Sequence, residues 1–376
     1  MANGVVNSNR LLNEFVNLVK IDSPSGEERK LADYLKKHLT ALSLEVIEDN
    51  AGQVMGTATG NLIARVPGNQ TLPTIFIGAH MDTVPGRGIV PVIRDNAVYS
   101  DGNTILGADD KVGIAAILEA IQIMKENDLD HGPIELLFTV AEEIGLKGVK
   151  NLDFSLLKAK MGFVLDSDGE IGSIIIQGPC QNQLEATIIG KAAHAGMNPE
   201  EGINAIQVAA RAINAMRLGR IDEETTANIG IIQGGEARNI VPEKVYLKGE
   251  TRSLKRPRLE EETRYMQDCL EKAAKEFGAK VQTEVELLYP EFCLQESDLV
   301  VRIAQEAASR LGRKASLVKS GGGSDANILN SRGLPTANLG VGMRQVHTRE
   351  EHVFLKDLNL LPLYLVKICQ AVSCNK

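Results

Sequence analysis

The chain has 376 residues, more than one compact core usually holds, so two domains are expected. Hydrophobic residues make up 43% and charged residues 24%, which excludes a disordered or fibrous protein. The net charge of -8 argues against nucleic acids and anionic membranes as partners, because both are bound through clustered Lys and Arg side chains.

The first part of the chain alternates apolar strands with helices. Ser25 and Glu28 have the S-x-x-E spacing of a capping box, which predicts a helix over residues 25 to 41. The strand-like runs LEVIED, NLIARV and TIFIGAH follow, and then a helix from Asp110. IELLFTVA and MGFVLD are the next strands. This order predicts an α/β domain with a mixed, mostly parallel sheet and helices on both faces.

The pattern changes in the middle of the chain. Strands QLEATIIG, ANIGIIQG and EKVYLKGETR are mixed there with helices predicted at 199–217 and 257–277. The α/β pattern resumes afterwards with a helix at 297–311, the run SGGGSDAN and a Leu-rich C-terminal helix. We therefore expect a discontinuous catalytic domain and an inserted smaller α+β domain. Their predicted ranges are 1–178 with 293–376, and 179–292.

Acidic residues and histidines follow four of the predicted strands. Ligands of open α/β sheets bind at the carboxyl ends of the strands, so these side chains are expected at one edge. They are His80 and Asp82, Glu142 and Glu143, Asp166, and His347, while Asp109 opens a helix. Imidazole and carboxylate groups together suit a pair of zinc-type ions.

The donor set can be divided between two ions that share a bridging carboxylate. One ion takes His80 and Asp166, the other takes Glu143 and His347, and Asp109 lies between them. Two divalent ions and three carboxylates leave residual positive charge, which favours ionisation of a bridging water.

Two further carboxylates are expected to assist the ligands. Asp82 lies two residues beyond His80, so on an extended segment both side chains point to one face. Asp82 is predicted to hold the second nitrogen of that imidazole. Glu142 precedes a ligand and is predicted to be the general base that takes a proton from the water.

Each residue also has a simpler interpretation. His80 alone is typical of a core histidine, and Asp166 before Ser-Asp-Gly is typical of a turn. Asp109 is compatible with a helix N-cap, and His352 competes with His347 within HTREEH. SGGGSDAN lacks the Lys of a phosphate-binding loop, so nucleotide binding is not expected.

Motifs along nearly the whole chain resemble one known family. They are H-x-D at 80–82, GADDKVG at 107–113, AEEIGLKG at 141–148, LDSDG at 165–169, HAG at 194–196, SGGGSDAN at 320–327 and HTREE at 347–351. They resemble the cocatalytic zinc exopeptidases that include aminoacylase, carboxypeptidase G2 and peptidase T, with the peptidase T branch the most similar. The resemblance implies the same five ligands, with His347 preferred over His352, and the same helper and base. It also implies a cis peptide bond between Asp109 and Asp110.

The resemblance assigns roles to the inserted domain as well. It implies a lid that also forms a homodimer, with His194 reaching the partner subunit's site to hydrogen-bond the substrate carbonyl oxygen. Asn239 and Arg252 match substrate-contacting positions, and the arginine suits a terminal carboxylate. The backbone around Gly322 can approach a substrate closely because no side chain intervenes.

The cysteines bear on the compartment. Five of them are scattered without a C-x-x-C spacing, which favours a reducing environment over a disulfide framework. No signal-like segment and no apolar run of about 20 residues is present, so a cytoplasmic protein without a membrane segment is expected.

The sequence thus predicts a metal-dependent exopeptidase that removes the N-terminal residue from di- and tripeptides. Asp166 supports the amino-end preference, because related carboxypeptidases and deacylases tend to have Glu at that position. Zinc is the expected metal, with manganese and cobalt as alternatives. An N-acyl amino-acid hydrolase or carboxypeptidase on the same scaffold is the second hypothesis. A metal-binding protein without turnover is the third, and Glu142 argues against it.

Overall fold

Helices and strands alternate through residues 5–374, the part of the chain that this computed structural model describes. The α-helices are α1 Ser8–Val19, α2 Arg29–Ala41, α3 Ala51–Met55, α4 Ala108–Glu126, α5 Lys147–Lys150, α6 Ala205–Ala215, α7 Arg256–Phe277, α8 Leu299–Arg310, α9 Asp325–Ser331 and α10 Leu355–Cys374. The strands are β1 Glu45–Glu48, β2 Leu62–Val66, β3 Ile75–His80, β4 Pro91–Arg94, β5 Ala97–Ser100, β6 Ile134–Thr139, β7 Gly162–Ser167, β8 Ser173–Gly178, β9 Cys180–Ile189, β10 Gly219–Arg220, β11 Thr225–Gly234, β12 Lys244–Ser253, β13 Lys280–Tyr289, β14 Phe292–Cys293, β15 Ser316–Lys319, β16 Thr336–Gly340, β17 Met343–Arg344 and β18 His352–Phe354.

The chain divides into two units, each with its own packing. The first contains the residues up to Gln177, residues 293–319 and the residues from Ser324 onward. The second contains Gly178–Phe292 together with Ser320–Gly323. No helix within residues 5–374 has both the length and the apolar composition needed to cross a membrane.

The main sheet of the first unit has a parallel centre. Its strand order is β1-β2-β6-β3-β7-β16-β8-β14, and β15 also pairs with β8. Strand β3 is parallel to both β6 and β7, with Ile77 opposite Leu136 and Phe163. Every residue of β3 and β6 is buried, as expected for central strands covered on both faces. The predicted α/β class with a mixed, mostly parallel sheet is confirmed.

A helix that the sequence analysis did not identify packs against this unit. In α1 the apolar residues Leu11, Phe15 and Leu18 are fully buried, and the helix contacts α4 and α10. Asn7 caps it by accepting a hydrogen bond from the Arg10 N–H. The 3.6-residue spacing of the apolar positions is therefore the core-facing stripe of an amphipathic helix.

The predicted helix start at Ser25 is wrong. Helix α2 begins at Arg29, and its N-cap residue Glu28 makes no side-chain capping bond. The Ser25 hydroxyl instead donates to Asp82 Oδ2 at 2.6 Å. The Ser25 hydroxyl therefore bonds to Asp82, which is distant in sequence, and not to the helix end that the S-x-x-E spacing predicts.

A small antiparallel sheet was also not predicted. Its order is β17-β18-β5-β4, and β4 and β5 are joined through Asp95 and Asn96, whose φ angles of 50° and 57° fit a tight hairpin turn. His347 lies in the loop between β17 and β18, so it does not continue directly from β16 as the sequence suggested.

The second unit is an antiparallel sheet with two helices. Its strand order is β10-β11-β12-β9-β13, and α6 and α7 contact each other and the sheet. Alternate residues of β9, including Leu184 and Ile188, are buried in its core. Helix α6 starts at Ala205 instead of the predicted 199, because Asn204 caps it and Pro199–Glu201 forms a separate short turn. Strand β13 was not predicted.

Candidate metal centre

The parallel strands deliver the candidate ligands to one edge of the sheet. His80 is the last residue of β3 and is buried, and Asp166 lies near the end of the neighbouring strand β7. Glu142 and Glu143 follow three and four residues after the end of β6 at Thr139. Since adjacent parallel strands end at the same edge, residues that are distant in sequence meet there.

Asp109 lies between two imidazoles. Its Oδ1 is 2.9 Å from His80 Nε2, and its Oδ2 is 3.2 Å from His347 Nε2. One carboxylate therefore faces a different histidine with each oxygen, which is the arrangement that a bridging ligand requires. The peptide bond between Asp109 and Asp110 is cis, as the resemblance implied.

Each imidazole has a further carboxylate beside it. His347 Nε2 is 3.0 Å from Glu143 Oε1, and His80 Nε2 is 4.0 Å from Asp166 Oδ1. Ligand atoms of His80, Asp109 and Glu143 lie within 4.8 Å of one another, and so do those of His80, Glu142 and Asp166. The structure thus brings the five predicted ligands and the predicted base into one cluster.

The carboxylates of this cluster repel one another. Burial and the nearby Asp166 carboxylate raise the pKa of Glu142 well above its ordinary value. Burial and Asp109 do the same to the pKa of Asp166. These carboxyl groups therefore ionise unfavourably at this edge unless positive charge lies beside them, and divalent cations would supply that charge.

The neighbouring carboxylates also favour the protonated, positively charged form of the two histidines. Hydrogen bonds to Asp109 and Glu143 raise the pKa of His347 to about 10. Burial opposes protonation of His80, but its hydrogen bond to Asp109 and the nearby Asp82 carboxylate raise its pKa well above the ordinary value. The imidazole nitrogens and carboxylate oxygens of this cluster are ligand atoms that zinc, manganese and cobalt bind. The residues present therefore fit a centre for two divalent ions.

Asp82 supports the cluster differently from the prediction. His80 Nδ1 is 2.9 Å from the carbonyl oxygen of Asp82 and 3.5 Å from the nearer carboxylate oxygen. The carboxylate accepts hydrogen bonds from the backbone N–H groups of Glu142 at 2.9 Å and Glu143 at 3.1 Å. Asp82 thus holds the imidazole mainly through its backbone and uses its side chain to fix the next loop.

Glu351 is a buried carboxylate at the site that sequence reasoning missed. Its Oε2 accepts from the N–H groups of Leu106 and Gly107, both at 2.8 Å, and its Oε1 accepts from that of Asp109 at 3.0 Å. Glu351 follows His347 by four residues, so it connects the segments that carry these two ligands. Glu351 is the last residue of the motif HTREE, but the sequence analysis assigned a role only to the histidine of that motif.

The alternative histidine of HTREEH lies elsewhere. His352 is on β18, its ring stacks on Tyr99 at 4.7 Å between centroids, and its Nδ1 is 2.8 Å from the Glu350 carbonyl oxygen. Of the two histidines, His347 is the one that lies in the cluster.

Two predicted substrate residues lie side by side in the second unit. His194 Nδ1 accepts from the N–H groups of Gly196 at 3.2 Å and Met197 at 3.1 Å, which leaves the proton on Nε2. The neighbouring Ala195 N–H donates to the Asn239 carbonyl oxygen at 3.0 Å. His194 is therefore held as a hydrogen-bond donor, the form that stabilises an oxyanion.

Arg252 lies at the other end of the same sheet. It is opposite Gln181 on β9, whereas Lys244, at the other end of β12, is opposite Ile189. Eight residues of extended strand span roughly 26 Å. His194 pairs with Ile240, which precedes the Lys244 end of β12, so His194 and Arg252 of one chain lie toward opposite ends of the sheet. The Arg252 guanidinium donates to both carboxylate oxygens of Glu250, at 2.9 and 3.1 Å.

The backbone at Gly322 forms part of the second unit. Its N–H donates to the Ser320 hydroxyl at 3.0 Å, and that hydroxyl is 3.1 Å from the Gly322 carbonyl oxygen. A Cβ at this position would meet nothing closer than 3.6 Å, so the backbone here is open to a ligand.

Comparison with known proteins identifies the family. Residues 76–371 match the model of peptidase family M20/M25/M40. A solved tripeptidase from Staphylococcus aureus subsp. aureus Mu50 is 43% identical, with a TM-score of 0.92 and coverage of 99% of this chain and 100% of that one. The aminopeptidase PepT from Bacillus cereus ATCC 10987 is 45% identical, with a TM-score of 0.86 and coverage of 98% and 99%. The uncharacterized protein YqjE of Bacillus subtilis (strain 168) is 47% identical over 94% of this chain and 96% of its own length. The chain belongs to peptidase family M20/M25/M40.

Proposed function

We propose that this protein is a dinuclear metallo-aminopeptidase that removes the N-terminal residue from di- and tripeptides. The observation that carries the proposal is Asp109, whose two oxygens face His80 and His347 while a further carboxylate lies beside each imidazole. The similarity along the whole chain to an aminopeptidase and a tripeptidase supports the amino-end preference.

The ligands divide into two sets around the bridging residue. His80 and Asp166 form one set, His347 and Glu143 form the other, and Asp109 belongs to both. Zinc suits this mixture of imidazole and carboxylate donors. When bound, two such ions acidify a water molecule and polarise the peptide carbonyl group.

Glu142 is the proposed general base. It is buried next to Asp166, and burial keeps its pKa raised, so its carboxylate is a better proton acceptor than an exposed one. It takes a proton from the attacking water and gives it to the amine nitrogen as the carbon–nitrogen bond breaks. Asp82 fixes the backbone of Glu142, which limits the directions in which this carboxylate can point.

We also propose a homodimer, which the positions of two predicted substrate contacts support. Arg252 is near one end of the β9–β12 pair and His194 lies beyond the other end, so one chain is not expected to bring both to the same short peptide. Two chains can do so if each contributes one of these residues. The exposed apolar residues Ile231 and Ile232 on β11 support an interface on this unit.

We further propose a cytoplasmic location. The described cysteines Cys180, Cys269, Cys293 and Cys369 are all free, which fits a reducing compartment.

The choice of substrate end is tested with a tripeptide of three different residues, Leu-Gly-Ala. We expect leucine and Gly-Ala as the first products, and N-acetylation should slow hydrolysis by about 100-fold or more because the free amine is part of what is recognised. Chromatography of the early products measures both. Release of alanine first, or faster cleavage of N-acyl amino acids, would contradict the aminopeptidase assignment.

The role of the base is tested with Glu142→Gln, which keeps the size of the side chain but removes the proton acceptor. We expect kcat to fall by about 100-fold or more, with the metal content unchanged. The exposed Glu170→Gln is the matched control and should retain activity. Near-normal turnover in the Glu142 variant would show that another group moves the proton.

The metal assignment is tested by comparing the two histidines of HTREEH. Wild-type protein should bind two zinc ions per chain, chelation should abolish hydrolysis, and added metal should restore it. We expect His347→Ala to bind about one ion per chain and His352→Ala to bind two, because only His347 lies in the cluster. Elemental analysis of the dialysed proteins gives the count, and equal metal contents in the two variants would refute the assignment.

Sharing of the active site between chains is tested by combining two inactive variants. His194→Ala and Glu142→Gln are co-expressed with different tags, and the mixed dimer is purified over both. One of its two sites then has Glu142 from one chain and His194 from the other, so about half of the wild-type activity is expected. No activity above that of the single variants would mean that each chain completes its own site.

A further inference from the structure

The residues before α2 run along the strand end that carries Asp82. The Ser23 hydroxyl donates to the Met81 carbonyl oxygen at 2.9 Å, and the Thr83 N–H donates to the Ser23 carbonyl oxygen, also at 2.9 Å. The Ser25 N–H donates to the Thr83 carbonyl oxygen at 3.3 Å. This segment precedes residue 76, where the match to the family model begins.

Two side chains of this segment act on the loop that carries Glu142, Glu28 by direct contact and Ser25 through Asp82. Ser25 donates to the Asp82 carboxylate, and that carboxylate accepts from the N–H groups of Glu142 and Glu143. Glu28 is fully buried, and its Oε1 accepts from the N–H of Ala141 at 3.0 Å. The N–H groups of three consecutive residues are thus each held by a buried carboxylate.

The first of these three residues has an unusual backbone conformation. Ala141 has a φ of +52°, in the left-handed region that residues with a Cβ disfavour. This turn redirects the chain after β6, so that the next two N–H groups meet Asp82. A left-handed alanine persists when its surroundings hold it there, and the Glu28 carboxylate is the side chain that accepts its N–H.

The burial of Glu28 argues for more than helix stability. Glu28 makes no capping bond to α2, and its Oε2 is buried with no hydrogen-bond partner among the described residues. A buried carboxylate with an unpartnered oxygen is unfavourable, and an apolar side chain would fill this space at lower cost. What an apolar side chain cannot supply is the acceptor for the Ala141 N–H, which shares Glu28 Oε1 with the Gly26 N–H at 2.8 Å.

We propose that Glu28 and Ser25 are positioning residues for the catalytic base. Glu28 holds Ala141 in its left-handed conformation, and Ser25 orients the Asp82 carboxylate that fixes the two residues after it. Together they set the direction of the Glu142 side chain without touching the substrate. This inference rests on the proposed peptidase function, in which Glu142 moves the proton.

The test compares two replacements of Glu28 that differ in one property. Glu28→Gln keeps an oxygen for the Ala141 N–H, whereas Glu28→Met keeps the volume and removes the acceptor. We expect kcat for Leu-Gly-Ala to fall about 10- to 100-fold in the Met variant and less than about fivefold in the Gln variant, with KM and metal content near wild type in both. The matched control is Glu27→Ala, since the neighbouring Glu27 is exposed and pairs with Arg87 at the surface.

The outcomes separate this inference from the function it rests on. Wild-type protein that does not cleave the peptide would refute the proposed function itself. Active wild type with equal kcat in the Met and Gln variants would refute the positioning role, as would loss of metal in step with loss of activity. If the Met variant does not fold, Ser25→Ala decides instead. It removes only the hydroxyl and should lower kcat about 3- to 10-fold at constant KM, and unchanged kcat would overturn the proposal.

Discussion

The repulsion among carboxylates at one edge of a buried sheet is the constraint on which the structure of this site depends. Asp109 and Glu142 are buried and Asp166 is partly buried beside them, and the raised pKa values of Glu142 and Asp166 mean that these carboxyl groups ionise unfavourably in the protein alone. Such a cluster is unfavourable in an apolar surrounding unless cations balance it. The parallel strands β3 and β7 hold it in place, because their buried central residues fix where each strand ends. The same packing that stabilises the fold therefore concentrates the charge that attracts metal ions.

A second set of buried carboxylates acts on the backbone. Asp82, Glu28 and Glu351 together accept hydrogen bonds from N–H groups in the two loops that present Asp109 and Glu142. Loops at strand ends leave such N–H groups without sheet partners, and a charged acceptor satisfies them more strongly than a neutral one. These hydrogen bonds restrict the backbone conformations that the two loops can adopt. In the proposed mechanism, a base and a bridging ligand that are already oriented need little rearrangement when substrate arrives, which lowers the cost of hydrolysis at a metal centre.

The sequence predicted which side chains meet at this edge because the ends of strands can be recognised from apolar runs. Apolar runs that stop at His80 and Asp166 show both the strand and its last residues, and the sheet rule places them at one edge. Long-range partners are not readable in this way. Ser25 and Glu28 have the local spacing of a capping box, yet their partners Asp82 and Ala141 are 57 and 113 residues away. A local sequence pattern does not reveal whether a side chain will bond to its own helix end or to a distant residue. Here both side chains bond to distant residues. The small sheet of β4, β5, β17 and β18 was not predicted for a related reason. Its strands have only two to four residues, which is too short for the alternation of apolar and polar residues to be recognised.

The length of the sheet in the second unit limits which residues of one chain can contact the same substrate. Its long antiparallel strands separate Arg252 from the end of the sheet near His194, because the eight residue steps of β12 from Lys244 to Arg252 span roughly 26 Å. A di- or tripeptide is much shorter than this. Strand pairing of that length is too regular to bend the two ends together, so no ordinary loop motion within the unit brings both residues to one substrate. If both residues contact the peptide, the second must come from another copy of the chain, and the length of the strands itself then makes the enzyme depend on assembly.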